Sequence, residues 1–425
     1  MAIRLTPDQQ AMLDGAKGET LAKVMKTLVM YGEAFGAEEM IPVTAEKGHL
    51  VTSFGLSMMK PVYDLMDQLI EGGAVNGQKF SVDPRPLDPA VPTNLLQKLV
   101  FKFMYSKQDD YEAQLRQLGL LENDAFTCTC YLPQVGNEPK QGEILSWAES
   151  SAVVYANSVL GARCNRNSGI LELFGSIAGC VPKFGLLTDE GRMASWVVEV
   201  KTSRRPEAQI LGSAIGMKVM EDVPYIRGLD QWLGGQLDDA AKAYLKDMGA
   251  ASASNGAVGL YHVEGITPEA CQQGRALVRP DAKVYVIDDA ELERVRAGYP
   301  CIWKDPNAKP KLCFVGCPHL SLEQLNQWTD DLCAALEQAG RKTVAVPTVF
   351  TAAPAVAKAF EQMPAAGRLK GTGVVLSSIC PLMYMNNPLC GKMPVATSSN
   401  KLRTYSSARY YTDAEMLRIM VKGEC

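Results

Sequence analysis

Apolar residues recur at helical spacing near the start of the chain. Leu21, Val24, Met25, Leu28 and Val29 fall on one face and predict a helix from Glu19 to Phe35. Just before it, Thr6-Pro7-Asp8-Gln9 predicts a helix start. Thr6 can cap, Pro7 suits the first helical position and Gln9 completes a capping box. Ile41-Pro42-Val43 predicts a short strand leading to Gly48-His49. Prolines at 84, 86 and 89 make Asp83 to Pro89 an extended loop. Leu95 to Leu121 is helical in pattern, and Phe126 to Pro133 reads as a strand and turn. Gly142 to Leu160 predicts a helix rich in Ala and Ser, stopped by Gly161. Ser195 to Val200 alternates as a strand does, and helices are expected around 208–219 and 235–248.

From about residue 283 the alternation of strand and helix is plain. Strands are predicted at Val284–Ile287, Leu312–Val315, Thr343–Val346, Val374–Ile379 and Pro394–Thr397. Helices are predicted at Asp288–Ala297, Ser321–Ala339 and Pro354–Met363. Such βα repetition builds a parallel sheet covered by helices. The fold class is therefore α/β. The expected organisation is an α/β domain over 1–205, a smaller Ala/Gly-rich domain over 206–282, and a three-layer parallel βα domain over 283–425.

Composition narrows the function. The net charge of −4 gives no electrostatic reason to expect nucleic acid as a partner. No apolar run approaches the ~20 residues that span a bilayer. The N-terminus lacks the apolar core of a signal peptide, so the expected location is cytoplasmic. There the 12 cysteines are reduced thiols or metal ligands rather than a disulfide framework. With only 3 histidines, a His-rich zinc site is not expected.

Three of the cysteines follow short strand-like runs: Cys128 after Phe126-Thr127, Cys317 after Leu312–Gly316, and Cys380 after Val374–Ile379. Ligands of parallel α/β sheets collect outside the carboxyl ends of the strands. Three thiolates there could hold three corners of an iron–sulfur cluster and leave one iron open. The competing reading is three buried thiols at strand ends, and spacing alone weighs the two evenly. In Cys128-Thr129-Cys130 the two thiols point to opposite faces if the segment is extended, so one of them faces the site. A second constellation is Glu149, Asn157 and the Arg163/Asn165/Arg166 turn, whose guanidinium forks suit a carboxylate or phosphate. A third is Ser399-Asn400-Lys401 after the last strand; its plainer reading is a helix cap with a solvated lysine. His49, expected in a loop, is the histidine to watch, while His262 inside an apolar run reads as a core residue.

Taken together, these segments resemble the large, catalytic subunit of the aconitase X family. The resemblance runs from Leu5-Thr6-Pro7 through Thr127-Cys128-Thr129, Trp147 to Asn165 and Gly316-Cys317-Pro318-His319 to Ser399-Asn400-Lys401. It implies an aconitase-like architecture around a central cleft, with Cys128, Cys317 and Cys380 as ligands of a [4Fe-4S] or [2Fe-2S] cluster. It implies a separate small swivel-domain subunit that carries a serine base, and dehydration of a hydroxylated carboxylate. Glu149, His49 and Lys401 are then the in-chain catalytic candidates, with Arg163, Asn165, Arg166 and Ser399 as substrate contacts. Of the family's substrates, cis-3-hydroxy-L-proline is favoured over mevalonate 5-phosphate, because no added Lys/Arg phosphate cradle is visible. A non-catalytic cluster-binding subunit and a zinc-bound structural protein are the readings from other classes. This chain departs from the family's pattern at Cys130 and Cys164, and either thiol could lie near the cluster.

Overall fold

The computed structural model describes residues 3–75, 77–121 and 123–424. The capping box at Thr6 and Gln9 forms and opens the Pro7–Leu13 helix, and the second helix spans Glu19–Ala34. The second buries Val24, Met25 and Leu28 against the N-terminal core, as the spacing predicts.

Three bodies of parallel strands organise the chain. Near the N-terminus, Lys47–Leu50 pairs with Lys79–Val82. Single parallel bridges extend this pair, His49 to Trp147 on one side and Val82 to Phe126 on the other. In the middle, four parallel strands lie in the order His262–Val263, Pro224–Arg227, Ala194–Val200, Val278–Ile287. Towards the C-terminus, five parallel strands lie in the order Val375–Ser377, Thr348–Ala352, Leu312–Leu320, Val395–Thr397, Arg409–Tyr410. Helices Leu322–Gln338, Pro354–Glu361 and Asp413–Lys422 cover this last sheet, so the α/β class and the parallel sheets are as expected.

Several elements differ from the sequence expectation. The helix expected from Gly142 is confined to Ser150–Ser158. Residues 143–148 are extended instead, because Ile144 bridges Arg163 and Trp147 bridges His49. Thr343–Val346 is not a strand. Its β-branched residues suggested one, but the amides of Val344 and Ala345 donate to the carbonyls of Thr372 and Met420, and the strand begins at Thr348. Phe126–Pro133 contributes one bridge and a turn rather than a strand. Val284–Ile287 pairs with Val197–Val200 in the middle sheet, not with the C-terminal strands. His49 is in a strand rather than a loop and is wholly buried. Pairing with Lys79–Val82 overrode the turn signal of Lys47-Gly48.

Candidate active site

The carboxyl ends of the N-terminal and C-terminal sheets meet around one cavity of about 260 Å³. From the N-terminal side come Val51, Asp83, Cys128 and Glu149, each just past a paired residue of a parallel strand or bridge. From the C-terminal side come Cys317, Cys380 and Lys401. The placement follows the rule that parallel sheets collect their ligands at carboxyl ends.

Backbone bonds fix each cysteine. The Thr127 amide donates to the Val82 carbonyl (2.7 Å), and the Cys380 amide donates to the Arg85 carbonyl (2.8 Å). The Asp83–Arg85 loop is thus stitched between the Cys128 and Cys380 segments. Cys317 lies within the Leu312–Leu320 strand where its register shifts, just after Gly316, whose φ of +108° suits glycine. A Cβ there would lie 2.4 Å from the Thr351 carbonyl oxygen, so the close strand approach also requires glycine.

His319 ties all three cysteine segments together, a role the sequence reading did not assign. Its amide donates to Cys128 Sγ (3.4 Å), and its Nε2 lies 3.0 Å from the carbonyl of Ile379, the residue before Cys380. Nε2 must carry the proton to meet a carbonyl, so Nδ1 accepts from the Thr127 hydroxyl (3.1 Å). Burial pushes this imidazole down to about 4 and keeps it neutral. The signal was available in Gly316-Cys317-Pro318-His319.

Glu149 and Lys401 form a buried ion pair at the cavity wall. Glu149 caps the Ser150–Ser158 helix, accepting from the Ala152 amide (2.7 Å) and the Ser151 hydroxyl (2.6 Å). Lys401 donates to the Glu149 carboxylate and to Ser151 Oγ (3.1 Å). Burial works to raise the Glu149 carboxyl, but the ammonium of Lys401 outweighs it and holds the group below its ordinary value. Burial likewise opposes the charge on Lys401, and the negative partners win, raising it. Lys401 is therefore a buried cation, not the solvated lysine of the plainer reading. Burial raises all three thiols, Cys380 to about 12, so metal binding there releases protons.

Asp83 is the second residue the sequence reading missed. Burial raises its carboxyl, and Oδ1 has no hydrogen-bond partner among the described residues. His49 stands behind it, with Nε2 3.7 Å from Oδ1 and Nδ1 2.9 Å from Ser81 Oγ. Burial would lower His49, but Cys130 and Asp83 push it up to about 10. His49 does not line the cavity and meets it through Asp83.

The Arg/Asn turn divides. Arg163 pairs with Asp189 (2.5 Å), and Asn165 is bonded to the backbone of Phe184 (3.0 Å) and Leu186 (2.8 Å). Asn165 and Arg166 line a separate groove of about 620 Å³. Arg166 makes no hydrogen bond or ion pair among the described residues. Burial lowers its guanidinium, against the carboxylate of Glu149, which lines the cysteine cavity. Ser399 caps the Asn400–Tyr405 helix and donates to the Cys317 carbonyl. Cys164 is buried and donates to the carbonyls of Trp147 (3.4 Å) and Asn165 (3.2 Å). Neither Cys130 nor Cys164 lines the cavity. His262 is a core residue as expected, 2.9 Å from the Arg192 carbonyl.

The aconitase X first-domain model matches residues 2–190 and the second-domain model matches 194–297. The phosphomevalonate dehydratase large subunit of Thermococcus kodakarensis is 30% identical over 83% of this chain and 82% of its own. The chain belongs to the aconitase X family. The cis-3-hydroxy-L-proline dehydratase of Hypocrea jecorina is 27% identical over 96% of this chain and 65% of its own. The holo-form crystal structure of Thermococcus kodakaraensis aconitase X matches with a TM-score of 0.80 at 26% identity, covering 99% of this chain and 100% of that one. The named relatives in the family are dehydratases, and this aconitase X chain is a carbon–oxygen lyase. Among its described residues no helix is long and apolar enough to cross a membrane.

Proposed function

We propose that this chain is the large subunit of an iron–sulfur hydro-lyase that dehydrates cis-3-hydroxy-L-proline to a pyrroline-2-carboxylate. The observation that carries the reading is the convergence of Cys128, Cys317 and Cys380 on one cavity beside the Glu149–Lys401 pair. The donor set fits a cluster, since three thiols line one cavity at the ends of parallel strands. Cys128, Cys317 and Cys380 would hold the cluster, which when bound would supply a Lewis acid for the leaving hydroxyl.

The chain's own residues do the rest. Arg166, whose guanidinium has no hydrogen-bond or ion-pair partner among the described residues, is the group that grips the substrate carboxylate. Lys401 neutralises charge at the wall and keeps Glu149 ionised. Glu149 is the in-chain acceptor for the proton α to the carboxylate, and a small-subunit serine is the alternative base. Asp83, backed by His49, holds a proton for the departing hydroxyl, which leaves as water.

Charge favours this substrate. Hydroxyproline is a zwitterion with one carboxylate, and the cavity offers two carboxylates, one paired lysine and one nearby arginine. Mevalonate 5-phosphate carries a carboxylate and a phosphate, and Lys401 is the sole cation among the residues lining this cavity. The second reading, a mevalonate 5-phosphate dehydratase, rests on the higher identity to that enzyme's large subunits, 30% against 27%.

The test is anaerobic reconstitution with iron, sulfide and the small subunit, followed by product assays on both substrates. Turnover of hydroxyproline alone supports the first reading, and turnover of mevalonate 5-phosphate alone moves the assignment to the second. A brown protein inert on both would make the chain a non-catalytic cluster subunit.

A further inference from the structure

The helix Leu95–Met104 exposes an apolar face that none of the described residues covers. Leu95 is 76% exposed, Leu96 58%, Leu99 57% and Phe103 78%. At about 100° per residue these four side chains fall within a single arc of roughly 100°. The opposite side holds the helix down, with Gln97 and Phe101 buried. Exposed Lys98 and Lys102 run along one edge of the apolar strip. On that edge a groove of about 600 Å³ opens, lined by Leu87, Lys98, Phe101, Lys102 and Tyr105 among others. Contiguous exposed apolar surface with a charged rim is the signature of a protein-binding face.

The helix is fastened to both sides of the cysteine cavity. The Ser57 amide donates to the Met104 carbonyl (2.8 Å), which ties the helix to the 51–59 segment. Val51 and Phe54 of that segment line the cavity. The Tyr105 hydroxyl donates to the Met383 carbonyl (2.9 Å), next to the cavity residue Leu382. The C-terminal end of the helix is thus bonded to two segments that also line the cavity.

We infer that the Leu95–Met104 helix is the docking surface for the small subunit, through an apolar patch rimmed by acidic residues on that partner. The inference rests on the two-subunit reading above and goes beyond it by naming the surface. Two further observations select this occupant. The Hypocrea jecorina relative matches 96% of this chain over 65% of its own length, so that relative carries a further third beyond the shared region in one chain. The exposed Lys98 and Lys102 beside the apolar strip suit acidic residues on the partner.

The experiment begins with the full-length tagged chain recovered from the cells that encode it. The small protein recovered with it is then produced recombinantly and titrated by sedimentation velocity. Wild type should form a 1:1 complex. The Leu99→Asp/Phe103→Asp variant should bind at least 30-fold more weakly, with unchanged melting temperature and unchanged iron loading. Lys98→Glu/Lys102→Glu, which leaves the apolar strip intact, should slow association at low salt. Undiminished binding by both variants would overturn the surface while leaving the two-subunit reading in place. If wild type recovers no small partner, both fall. A self-dimer of the wild-type chain that Leu99→Asp dissolves would assign the face to a second copy and overturn the inference.

Discussion

Lys401 Nζ lies 3.1 Å from Ser151 Oγ and donates to the carboxylate of Glu149, joining the first turn of one helix to the cap of another across the cysteine cavity. Removing one member of such a pair leaves an uncompensated buried charge, a cost of about 3–5 kcal/mol. Lys401→Met should therefore lower kcat at least a hundredfold and depress the melting temperature. The double variant Lys401→Met/Glu149→Gln should recover much of the stability but none of the activity. Calorimetry and steady-state assays on the four proteins of the cycle check this.

The three cavity cysteines should separate cleanly from the two unexpected ones. After anaerobic reconstitution, Cys128→Ala, Cys317→Ala and Cys380→Ala should each lose the visible sulfur-to-iron absorption and most of the iron. Cys130→Ala and Cys164→Ala should keep both, since neither thiol lines the cavity. A brown, active Cys317→Ala protein would end the cluster proposal.

His319→Leu should remove the bonds to Thr127 and Ile379 and cost about 1–3 kcal/mol, as the buried Ile379 carbonyl loses its side-chain partner while the Thr127 hydroxyl keeps Thr129. The cluster should bleach faster in air, because the segments carrying Cys128 and Cys380 are no longer held in register. His319→Gln, which keeps a donor and an acceptor, should restore part of the stability and slow the bleaching. Absorbance decay under oxygen measures it.

Arg166 and Arg163 should differ sharply. Arg166→Ala should raise KM at least tenfold, while Arg163→Ala, which loses a pair with an exposed aspartate and a bond to the Leu187 carbonyl, should change it less than twofold. Gly259→Ala tests the same geometry from behind, since a Cβ there would lie 3.0 Å from Arg166 Cδ.

Stability should fall as pH rises above neutral-acid conditions, and Glu172 is one cause. Burial pushes its carboxyl from 4.5 up to about 8, against hydrogen bonds from Ser146 and Asn167. Between these values the folded protein retains a proton that the unfolded chain has released. Folding is then weakened with rising pH by up to about 1.4 kcal/mol per unit, levelling off once the folded group ionises. Glu172→Gln should flatten the profile between pH 5 and 8 in denaturant titrations.

The sequence by itself determined what local chemistry controls. The capping box at Thr6–Gln9, the apolar stripe of the Glu19–Ala34 helix and the βα alternation beyond Leu312 depend on neighbours a few residues away. The three cysteines were legible because each follows a strand-like run, and the family resemblance raised them above ordinary core thiols. What only the tertiary structure decided is which distant segments meet. Pairing of Lys47–Leu50 with Lys79–Val82 buried His49 behind Asp83, and a bridge from Trp147 to His49 kept residues 142–148 out of the helix. Lys401 looked solvated because its partner Glu149 lies 252 residues away in the chain. Arg163 and Arg166 have the same side chain and are three positions apart, yet one is spent on Asp189 and the other is free. Periodicity and propensity report the local backbone, whereas burial and charge pairing are set by long-range packing.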